Sequence, residues 1–273
     1  MLDKQELTRY SRHILLPEVR RAGQERLKAA HVFVVGAGGL GSPVLLYLAA
    51  AGVGRISFIE SDELDLTNLQ RQILYNTGDV GSSKADAAAA RLRELNPHVE
   101  LVALRERLSP ENIARHLRPA DAPPVDLIIE TSDNFPTKFL VNDAAVLLGV
   151  PAILGGILRF EGQLMAVNPG QSACYRCIFR ELPPDGAVPN CAEAGVLGAM
   201  AGTVGSLQAA EALKILTGAG EPLFGRMITV DLLSSRMRTL SLPRSESCPV
   251  CGAIPRIRTL SAAEYGSGAA CEV

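Results

Sequence analysis

Short apolar runs alternate with segments of helical periodicity through the first 155 residues of the chain. The runs are rich in Val, Ile and Leu, as expected of strands that are buried on both faces. Strands that alternate with helices at this spacing form a parallel, doubly wound sheet. We predict five such strands, at residues 31–35, 55–60, 99–104, 125–130 and 150–154, and helices at 1–30, 40–51, 82–96 and 134–148.

The pattern changes in the second half of the chain. Residues 159–167 alternate between apolar and polar positions, which is typical of an antiparallel strand with one exposed face. A loop rich in Pro and Gly at 182–195 precedes a long predicted helix at 198–216, and two more strands follow near Ile228 and Thr239. We therefore predict an α/β fold with a Rossmann-like, doubly wound and mostly parallel sheet that ends in antiparallel strands.

Composition and charge exclude several classes of protein. Hydrophobic residues make up 47% of the 273-residue chain and Trp is absent, so the core is expected to be large and aliphatic. A net charge of -2 does not favour nucleic acid or an anionic membrane as a partner. The N-terminus lacks the apolar stretch of a signal peptide, and the longest apolar run, near 44–53, is too short to span a bilayer. We therefore expect a cytoplasmic protein that binds neither nucleic acid nor membrane.

A glycine loop follows the first predicted strand. The segment Gly36-Ala-Gly-Gly-Leu-Gly41 fits the pattern G-x-G-x-x-G between a strand and a helix, with glycines at 36, 38, 39 and 41. Without side chains, backbone N–H groups can approach phosphate at the positive end of the helix. Glu60 ends the next predicted strand, where an acid can bind ribose hydroxyls. The loop alone favours NAD, although a tight turn without a ligand would need the same glycines.

Asp, Asn and Arg side chains are concentrated in residues 61–72, directly after Glu60. A dehydrogenase does not need these polar and charged side chains beside the ribose acid. A site does need them if a carboxylate attacks the α-phosphate there and pyrophosphate leaves. A terminal α-carboxylate has a pKa of about 3.5, so as the nucleophile it is already ionised and needs no general base. The reaction instead needs cations that reduce the repulsion between anions. Arg71, Lys84 and a metal held by Asp133 would supply them.

Four of the six cysteines form two Cys-x-x-Cys pairs, Cys174–Cys177 and Cys248–Cys251. Four thiolates complete a tetrahedral Zn²⁺ site and leave no open position for water, which predicts a structural metal. The alternative is two unmetallated or redox-active pairs. Redox pairs normally lie at a helix N-terminus, and neither pair is predicted to lie at one.

Taken in chain order, these motifs resemble those of the ThiF/MoeB/HesA family of sulfur-carrier adenylyltransferases, which are relatives of ubiquitin-activating enzymes. The resemblance covers nearly the whole chain. It rests on Arg9-Tyr-Ser-Arg12, Gly36 through Ser42, Asn68-Leu-Gln-Arg-Gln72, Val80-Gly-Ser-Ser-Lys84, Thr131-Ser-Asp-Asn134, Gly156 through Gly162, both Cys-x-x-Cys pairs and Asn190-Cys-Ala-Glu-Ala-Gly195. It implies ATP-dependent adenylylation of the C-terminal glycine of a ubiquitin-like sulfur-carrier protein that ends in Gly-Gly. Such carriers serve molybdopterin, thiamine or thiolated-tRNA biosynthesis.

The resemblance also implies which residues bind ATP. The glycine loop would receive the phosphates, and Glu60 would bind the ribose, although the usual family residue at this position is Asp. Asn68, Arg71 and Lys84 would contact the phosphates. Taken singly, Arg71 and Lys84 would be read as solvated helix charges.

Three further residues take roles from the resemblance. Asp133 would hold Mg²⁺ near the incoming glycine carboxylate, with a helix cap as the alternative role. Arg12 would reach into the site of a partner subunit, which implies a homodimer; on its own it would be read as a surface charge. Cys191 lies in the loop at 182–195, where it could become linked to the carrier or carry sulfur, or remain a free thiol without a catalytic role.

The resemblance divides the chain into a nucleotide-binding half at about 1–155 and a carrier-binding and zinc half at about 156–261, within one domain. Residues 262–273 are small and polar, so we expect a flexible tail. The chain ends too early for the rhodanese domain of some relatives, and a separate cysteine desulfurase or rhodanese is expected to donate sulfur. The alternative functions are an NAD(P)-dependent oxidoreductase and a non-catalytic adaptor that binds a carrier.

Overall fold

The computed structural model describes residues 1–184 and 194–265, and within these ranges eight strands form one sheet in the order β3-β2-β1-β4-β5-β6-β7-β8. Neighbouring strands from β3 through β5 pair in parallel, and β5 through β8 pair antiparallel. The predicted fold class is therefore confirmed. The strands are β1 (His31–Val35), β2 (Arg55–Ile59), β3 (Glu100–Leu104), β4 (Leu127–Glu130), β5 (Ala152–Leu158), β6 (Glu161–Val167), β7 (Arg226–Asp231) and β8 (Arg236–Ser241).

The helices agree with the sequence pattern except near the N-terminus, after β3 and at the first cysteine pair, where a short helix was not predicted. Residues 1–30 form three helices rather than one, and Pro17, which has no N–H to donate, lies in the break between the second and the third. The short helix after β3 was not predicted. The helices are α1 (Lys4–Arg9), α2 (Ser11–Ile14), α3 (Arg20–Ala29), α4 (Gly41–Ala51), α5 (Lys84–Leu95), α6 (Ile113–Leu117), α7 (Phe135–Leu148), α8 (Tyr175–Ile178) and α9 (Gly198–Thr217).

Helices cover both faces of the parallel part of the sheet. On one face Val32 and Val34 of β1 pack in a core that includes α4, α5 and α9. On the other face Phe33 and Val35 pack in a second core that includes α6, α7 and two of the paired cysteines. Because alternate side chains of one strand enter opposite cores, β1 is apolar at each position from Val32 to Val35. None of the described helices is both long enough and apolar enough to cross a membrane.

Two sequence expectations in the second half of the chain are wrong. Strand β6 does not have an exposed face, since residues 164–167 are buried between β5 and β7. The flexible tail expected at 262–273 is contradicted for residues 262–265, because Ala262–Glu264 form a turn of 3₁₀ helix and Tyr265 is only 4% exposed. Residues 266–273 lie outside the described ranges.

Helix α9 lies directly against the first turn of α4, and this contact depends on a glycine. A Cβ atom added at Gly205 would lie 2.6 Å from the carbonyl oxygen of Leu40 and still closer to the ring of Pro43. The middle of α9 can therefore approach the end of the glycine loop only where it lacks a side chain. At Gly202 in the same helix, nothing lies within 4 Å of an added Cβ.

We expect Gly205→Ala to lower the free energy of unfolding by about 1–3 kcal/mol, since overpacking forces backbone shifts. Gly202→Ala is the matched control, and it should leave stability unchanged or raise it by up to about 1 kcal/mol, because Ala is the better helix former. Urea unfolding of both variants measures the difference. Equal stabilities for the two variants would contradict the described packing.

Candidate functional site

The glycine loop turns at the C-terminal end of β1, and its geometry requires glycine at two positions. Gly36 has φ +93°, which other residues rarely adopt, and its N–H donates to the Ile59 carbonyl at 3.0 Å. A Cβ at Gly41 would collide with the carbonyl oxygen of Gly36 and lie 3.1 Å from the hydroxyl of Thr131. That hydroxyl lies 2.7 Å from the Val35 carbonyl. The loop is therefore tied to the ends of both neighbouring strands.

Glu60 lies at the end of β2 and connects the glycine loop to the segment that follows. One carboxylate oxygen accepts from the Ala37 N–H and the other from the Asp62 N–H, both at 3.0 Å. Burial raises the pKa of Glu60, while the two N–H donors and nearby Lys84 oppose that rise. Each carboxylate oxygen can accept a second hydrogen bond, so Glu60 can hold the loop and also bind a hydroxyl group.

Arg71 and Gln72 lie against the glycine loop. The stem of Arg71 is next to Gly39, where an added Cβ would lie 3.5 Å from Cγ, and its guanidinium donates to the Thr67 carbonyl at 3.1 Å. Gln72 is buried beside Gly38, and its Oε1 has no hydrogen-bond partner within the described residues. Sequence reasoning gave Gln72 no role, although it belongs to the same motif as Arg71.

Tyr75 and Asn68 each form a hydrogen bond that fixes the segment after Glu60. The Tyr75 hydroxyl donates to the Ala37 carbonyl at 2.8 Å, and burial raises the pKa of this phenol. Asn68 closes a short 3₁₀ helix, Leu66–Asn68, through its side-chain oxygen, which accepts from the Asp65 N–H at 3.2 Å. Tyr75 was missed from the sequence because a buried tyrosine after a loop carries no distinctive spacing.

Lys84 is the first residue of α5, and only 7% of its side chain is exposed. Its ammonium group lies 3.2 Å from a carboxylate oxygen of Asp62, and its backbone N–H donates to the Asp62 carbonyl at 3.0 Å. Ser83 caps the helix through a hydrogen bond from the Asp86 N–H. Lys84 is therefore not a solvated helix charge. It is a buried cation that faces the segment after Glu60.

Asp133 lies in the turn between β4 and α7, and it is exposed. The adjacent Asn134 caps α7, since its Oδ1 accepts from the Thr137 N–H at 2.9 Å. The alternative role of Asp133 as the helix cap is therefore wrong. Within the ranges that the structure covers, no hydrogen bond or ion pair engages the Asp133 carboxylate, which leaves both oxygens available to a cation.

Arg12 is a predicted catalytic residue that the structure does not bring to the glycine loop of its own chain. It is exposed on α2, next to Tyr10, whose hydroxyl accepts from Asn96 just after α5 and whose ring lies against Gly52 just after α4. The glycine loop is at the opposite end of α4, which is 11 residues long and therefore spans about 16 Å. Arg12 thus lies at the far end of the helix from its own glycine loop.

The four paired cysteines converge on one point. Sγ–Sγ distances are 3.9 Å for Cys174–Cys177, 3.5 Å for Cys174–Cys248 and 3.4 Å for Cys177–Cys251, and all four sulfurs lie within 4.8 Å of one another. Tetrahedral zinc with Zn–S bonds of about 2.3 Å requires Sγ separations of about 3.8 Å. The Ser245 N–H points to the Cys177 sulfur at 3.5 Å. The donor set and its spacing fit zinc.

The position of the first pair differs from the sequence expectation. Cys174 is the N-cap of α8, so this pair does lie at the start of a short helix. The convergence of the second pair on the first still favours a metal over a redox disulfide. Hydrogen bonding with Cys248 raises the pKa of the Cys174 thiol, and the same bond lowers the pKa of Cys248. A bound cation would allow all four thiols to ionise.

A buried ion pair connects the cysteine cluster to α7. Arg176 lies between the two cysteines of the first pair, and its Nε is 2.9 Å from both carboxylate oxygens of Asp143. The Tyr265 hydroxyl donates to the same carboxylate at 3.1 Å, and the Arg176 guanidinium lies 4.6 Å from the centre of the Phe139 ring. Helix α7 begins two residues after Asp133. The ion pair therefore joins the cysteine cluster to the helix that follows the candidate cation ligand.

Cys191 lies outside the described residues. The segment that follows it returns to the site, because the Arg159 N–H donates to the Gly195 carbonyl and the Leu197 N–H donates to the Arg159 carbonyl, both at 3.0 Å. At the start of α9, a Cβ added at Gly39 would lie 3.3 Å from Ala201. The first turn of α9, which follows this loop, therefore lies next to the glycine loop.

Comparisons with known proteins agree with these features. The chain is 52% identical over 262 residues to a sulfur carrier protein adenylyltransferase of Thermus thermophilus, and the match covers 94% of this chain and 95% of the relative. It is 44% identical over 251 residues to the SAMP-activating enzyme E1 of Haloferax volcanii, which covers 92% and 91% of the two chains. A probable adenylyltransferase/sulfurtransferase MoeZ of Mycobacterium tuberculosis is 44% identical, and the match spans 63% of its length.

The chain also shares its fold with a solved structure and matches a family model. The crystal structure of E. coli MccB with MccA-N7isoASN has a TM-score of 0.78 at 24% identity, over 90% of this chain and 74% of MccB, and shares the fold. Residues 10–250 match the ThiF family. The chain belongs to the ThiF family.

Proposed function

We propose that this protein uses ATP to adenylylate the C-terminal glycine of a ubiquitin-like sulfur-carrier protein that ends in Gly-Gly, and releases pyrophosphate. One observation carries the proposal. In this ThiF-family chain the glycine loop, Glu60 and Asp133 follow the C-terminal ends of neighbouring parallel strands. Buried Lys84 faces the segment after β2, and the Asp133 carboxylate has no partner among the described residues. These strand ends form the edge at which open α/β sheets bind nucleotides.

The geometry supports a division of roles among these residues. The N–H groups of the glycine loop and the N-terminus of α4 would receive phosphate oxygens, and Glu60 would accept from ribose hydroxyls. Asn68, Arg71 and Lys84 would offset the negative charge that accumulates when the glycine carboxylate approaches the α-phosphate. The Oε1 of buried Gln72 has no hydrogen-bond donor among the described residues. Because an unsatisfied buried acceptor is costly, a ligand donor at this loop would stabilise it.

Two metal ions fit the donor sets. Asp133 would hold Mg²⁺, which prefers carboxylate and phosphate oxygens and would supply positive charge beside the phosphates. The Cys174, Cys177, Cys248 and Cys251 thiolates would hold structural zinc. These assignments rest on the free carboxylate of Asp133 and on the spacing of the four sulfurs.

Pyrophosphate exchange tests the proposed reaction. With Mg-ATP, radiolabelled pyrophosphate and a carrier ending in Gly-Gly, label should enter ATP at a rate that saturates with carrier concentration. A carrier without its last glycine should give background exchange only. ATP binding without exchange across a panel of diglycine carriers would favour a non-catalytic adaptor, and NADH binding would favour an oxidoreductase.

The position of Arg12 supports a homodimer in which each protomer completes the site of the other. Arg12→Ala and Arg71→Ala proteins should each be nearly inactive in exchange. Mixed in equal amounts and allowed to exchange subunits, they should recover about a quarter of wild-type activity, because half of the dimers are mixed and each carries one intact site. Two inactive proteins that stay inactive after verified subunit exchange would place Arg12 outside the site.

Transfer of sulfur would follow adenylylation and would use a separate donor, a cysteine desulfurase or a rhodanese. Cys191 would attack the adenylylated glycine and form a thioester with release of AMP, or it would receive sulfur from the donor's persulfide, which would leave as a thiol. Cys191→Ala should then keep pyrophosphate exchange but lose formation of the thiocarboxylated carrier. Retention of both activities would assign Cys191 no catalytic role. Affinity capture of the carrier from the native cell, with identification by mass spectrometry, would decide which biosynthetic route is served.

A further inference from the structure

Lys138 lies on the first turns of α7, close to the turn that contains Asp133. Only 10% of its side chain is exposed. Its ammonium group donates to a carboxylate oxygen of Glu130 at 2.6 Å, to the Ser132 carbonyl at 2.7 Å and to the Gly155 carbonyl at 2.7 Å. An ammonium group has three N–H donors, so each of them has a partner.

Glu130 is completely buried at the end of β4 and completes this network. Its second carboxylate oxygen accepts from the Ser132 N–H at 2.7 Å and also from the Ser132 hydroxyl. Its backbone carbonyl accepts from the side chain of Gln208 on α9 at 2.8 Å. The network therefore joins β4, β5, α7 and α9 behind the candidate site.

The two carbonyl groups that accept hydrogen bonds from Lys138 lie directly before Asp133 and Gly156 in the chain. The Ser132 carbonyl belongs to the peptide bond that leads into Asp133, and the Gly155 carbonyl belongs to the bond that leads into Gly156 in β5. Since the Asp133 side chain has no partner of its own among the described residues, its position follows from its backbone. That backbone is fixed on one side by Lys138 and on the other by the Asn134 cap of α7.

We propose that Lys138 is a positioning residue, which together with Glu130 holds the peptide before Asp133 in the orientation that presents the carboxylate to a divalent cation and ATP. This inference rests on the proposed function. A buried ion pair seldom adds stability over apolar residues of similar volume. The ion pair lies directly behind Asp133, which is exposed and has no partner among the described residues. A role in fixing the position of Asp133 therefore explains the ion pair better than a role in stability does.

The test uses a double variant, since a single change would leave an uncompensated buried charge. Lys138→Met with Glu130→Gln removes both charges at nearly constant volume, and Lys138→Arg is the conservative variant. The matched control is Lys28→Met with Glu6→Gln, which removes an ion pair of the same 2.6 Å length on the N-terminal helices. Three measurements are made on each protein: amide hydrogen exchange at residues 131–134, Mn²⁺ affinity in the presence of a non-hydrolysable ATP analogue, and carrier-dependent pyrophosphate exchange.

For the Lys138/Glu130 double variant we expect faster amide exchange at 131–134 and Mn²⁺ binding weakened by about 10-fold. A fall in kcat of about 10- to 100-fold should accompany them, with KM for ATP within about twofold of wild type, as expected for misplacement of a catalytic group. Lys138→Arg should recover most of kcat, and the Lys28/Glu6 control should change none of the three measurements.

Wild-type amide exchange, Mn²⁺ affinity and kcat in the Lys138/Glu130 double variant would overturn the inference. An equal fall in kcat in the double variant and in the Lys28/Glu6 control would overturn it as well, because it would indicate a general loss of folded protein. Failure of the wild-type protein to catalyse pyrophosphate exchange would contradict the proposed function instead. The amide-exchange and Mn²⁺ measurements would then still decide whether Lys138 positions Asp133.

Discussion

Replacing Asp133 by Asn should lower carrier-dependent pyrophosphate exchange by about 10²- to 10³-fold, the effect typical of losing one group that stabilises charge in a transition state. Asn keeps the size of the side chain but cannot balance a divalent cation. Because Asp133 is exposed and unpaired among the described residues, the free energy of unfolding should stay within about 0.5 kcal/mol of wild type. Exchange assays and urea unfolding on the same preparation measure the two effects.

The control for this variant is Asp121→Asn. Asp121 is also exposed, but it lies near the start of β1 with Arg55 and Ser57, at the end of the sheet away from the glycine loop. Its substitution should change neither exchange nor stability. An Asp133→Asn protein that keeps more than a tenth of wild-type exchange would remove Asp133 from the catalytic group.

The second large effect is expected at the cysteine cluster. Cys248→Ser should abolish stoichiometric zinc and lower the free energy of unfolding by more than about 4 kcal/mol, the range associated with loss of a structural metal. The buried Sγ of Cys248 lies 3.5 Å from that of Cys174, so a hydroxyl there would replace a metal ligand in an enclosed site. Elemental analysis and urea unfolding measure the two losses.

The two cysteines outside the pairs provide the control. Cys191→Ser and Cys271→Ser should each retain zinc at wild-type content, since neither belongs to the Cys-x-x-Cys motifs. Wild-type protein purified without chelator that contains no stoichiometric zinc would contradict the zinc assignment. Equal zinc loss in Cys191→Ser and Cys248→Ser would contradict the proposed ligand set.

Much of the fold could be predicted because the parallel strands are short and mostly apolar on both faces. Strand β1 sends Val32 and Val34 into one core and Phe33 and Val35 into the other, so periodicity and composition agree. Strand β6 was predicted to be more exposed than it is because its burial depends on pairing with β7, about sixty residues later in the chain. The alternation of apolar and polar residues within β6 does not show whether a strand so distant in sequence covers it.

Long-range polar contacts also escaped the sequence interpretation. Tyr265 lies among small and polar residues near the C-terminus, and its partner Asp143 is 122 residues away. Lys138 was not singled out, because a lysine near the start of a helix is usually a solvated charge. Its burial follows from the placement of Glu130 and the Gly155 carbonyl, which only the assembled sheet brings together.

The candidate site was predictable to the extent that its residues are adjacent to strand ends. The glycine loop and Glu60 follow β1 and β2, and parallel strands bring their C-terminal ends to one edge. Arg12 has no such anchor in the sheet, and it lies at the far end of α4 from its own glycine loop. Its predicted role would therefore require the proposed homodimer. The sequence pattern also could not separate Asp133 from Asn134 as the helix cap, since both side chains cap helices well.

The central claim is that the terminal glycine of a carrier becomes joined to the AMP part of ATP. Mass spectrometry of a diglycine carrier after brief incubation with the protein and Mg-ATP tests this most directly. We expect an added mass equal to one adenylyl group, located on the terminal glycine, which disappears when pyrophosphate is supplied in excess. A carrier whose mass stays unchanged, while the protein binds ATP and carrier at saturation, would contradict the claim.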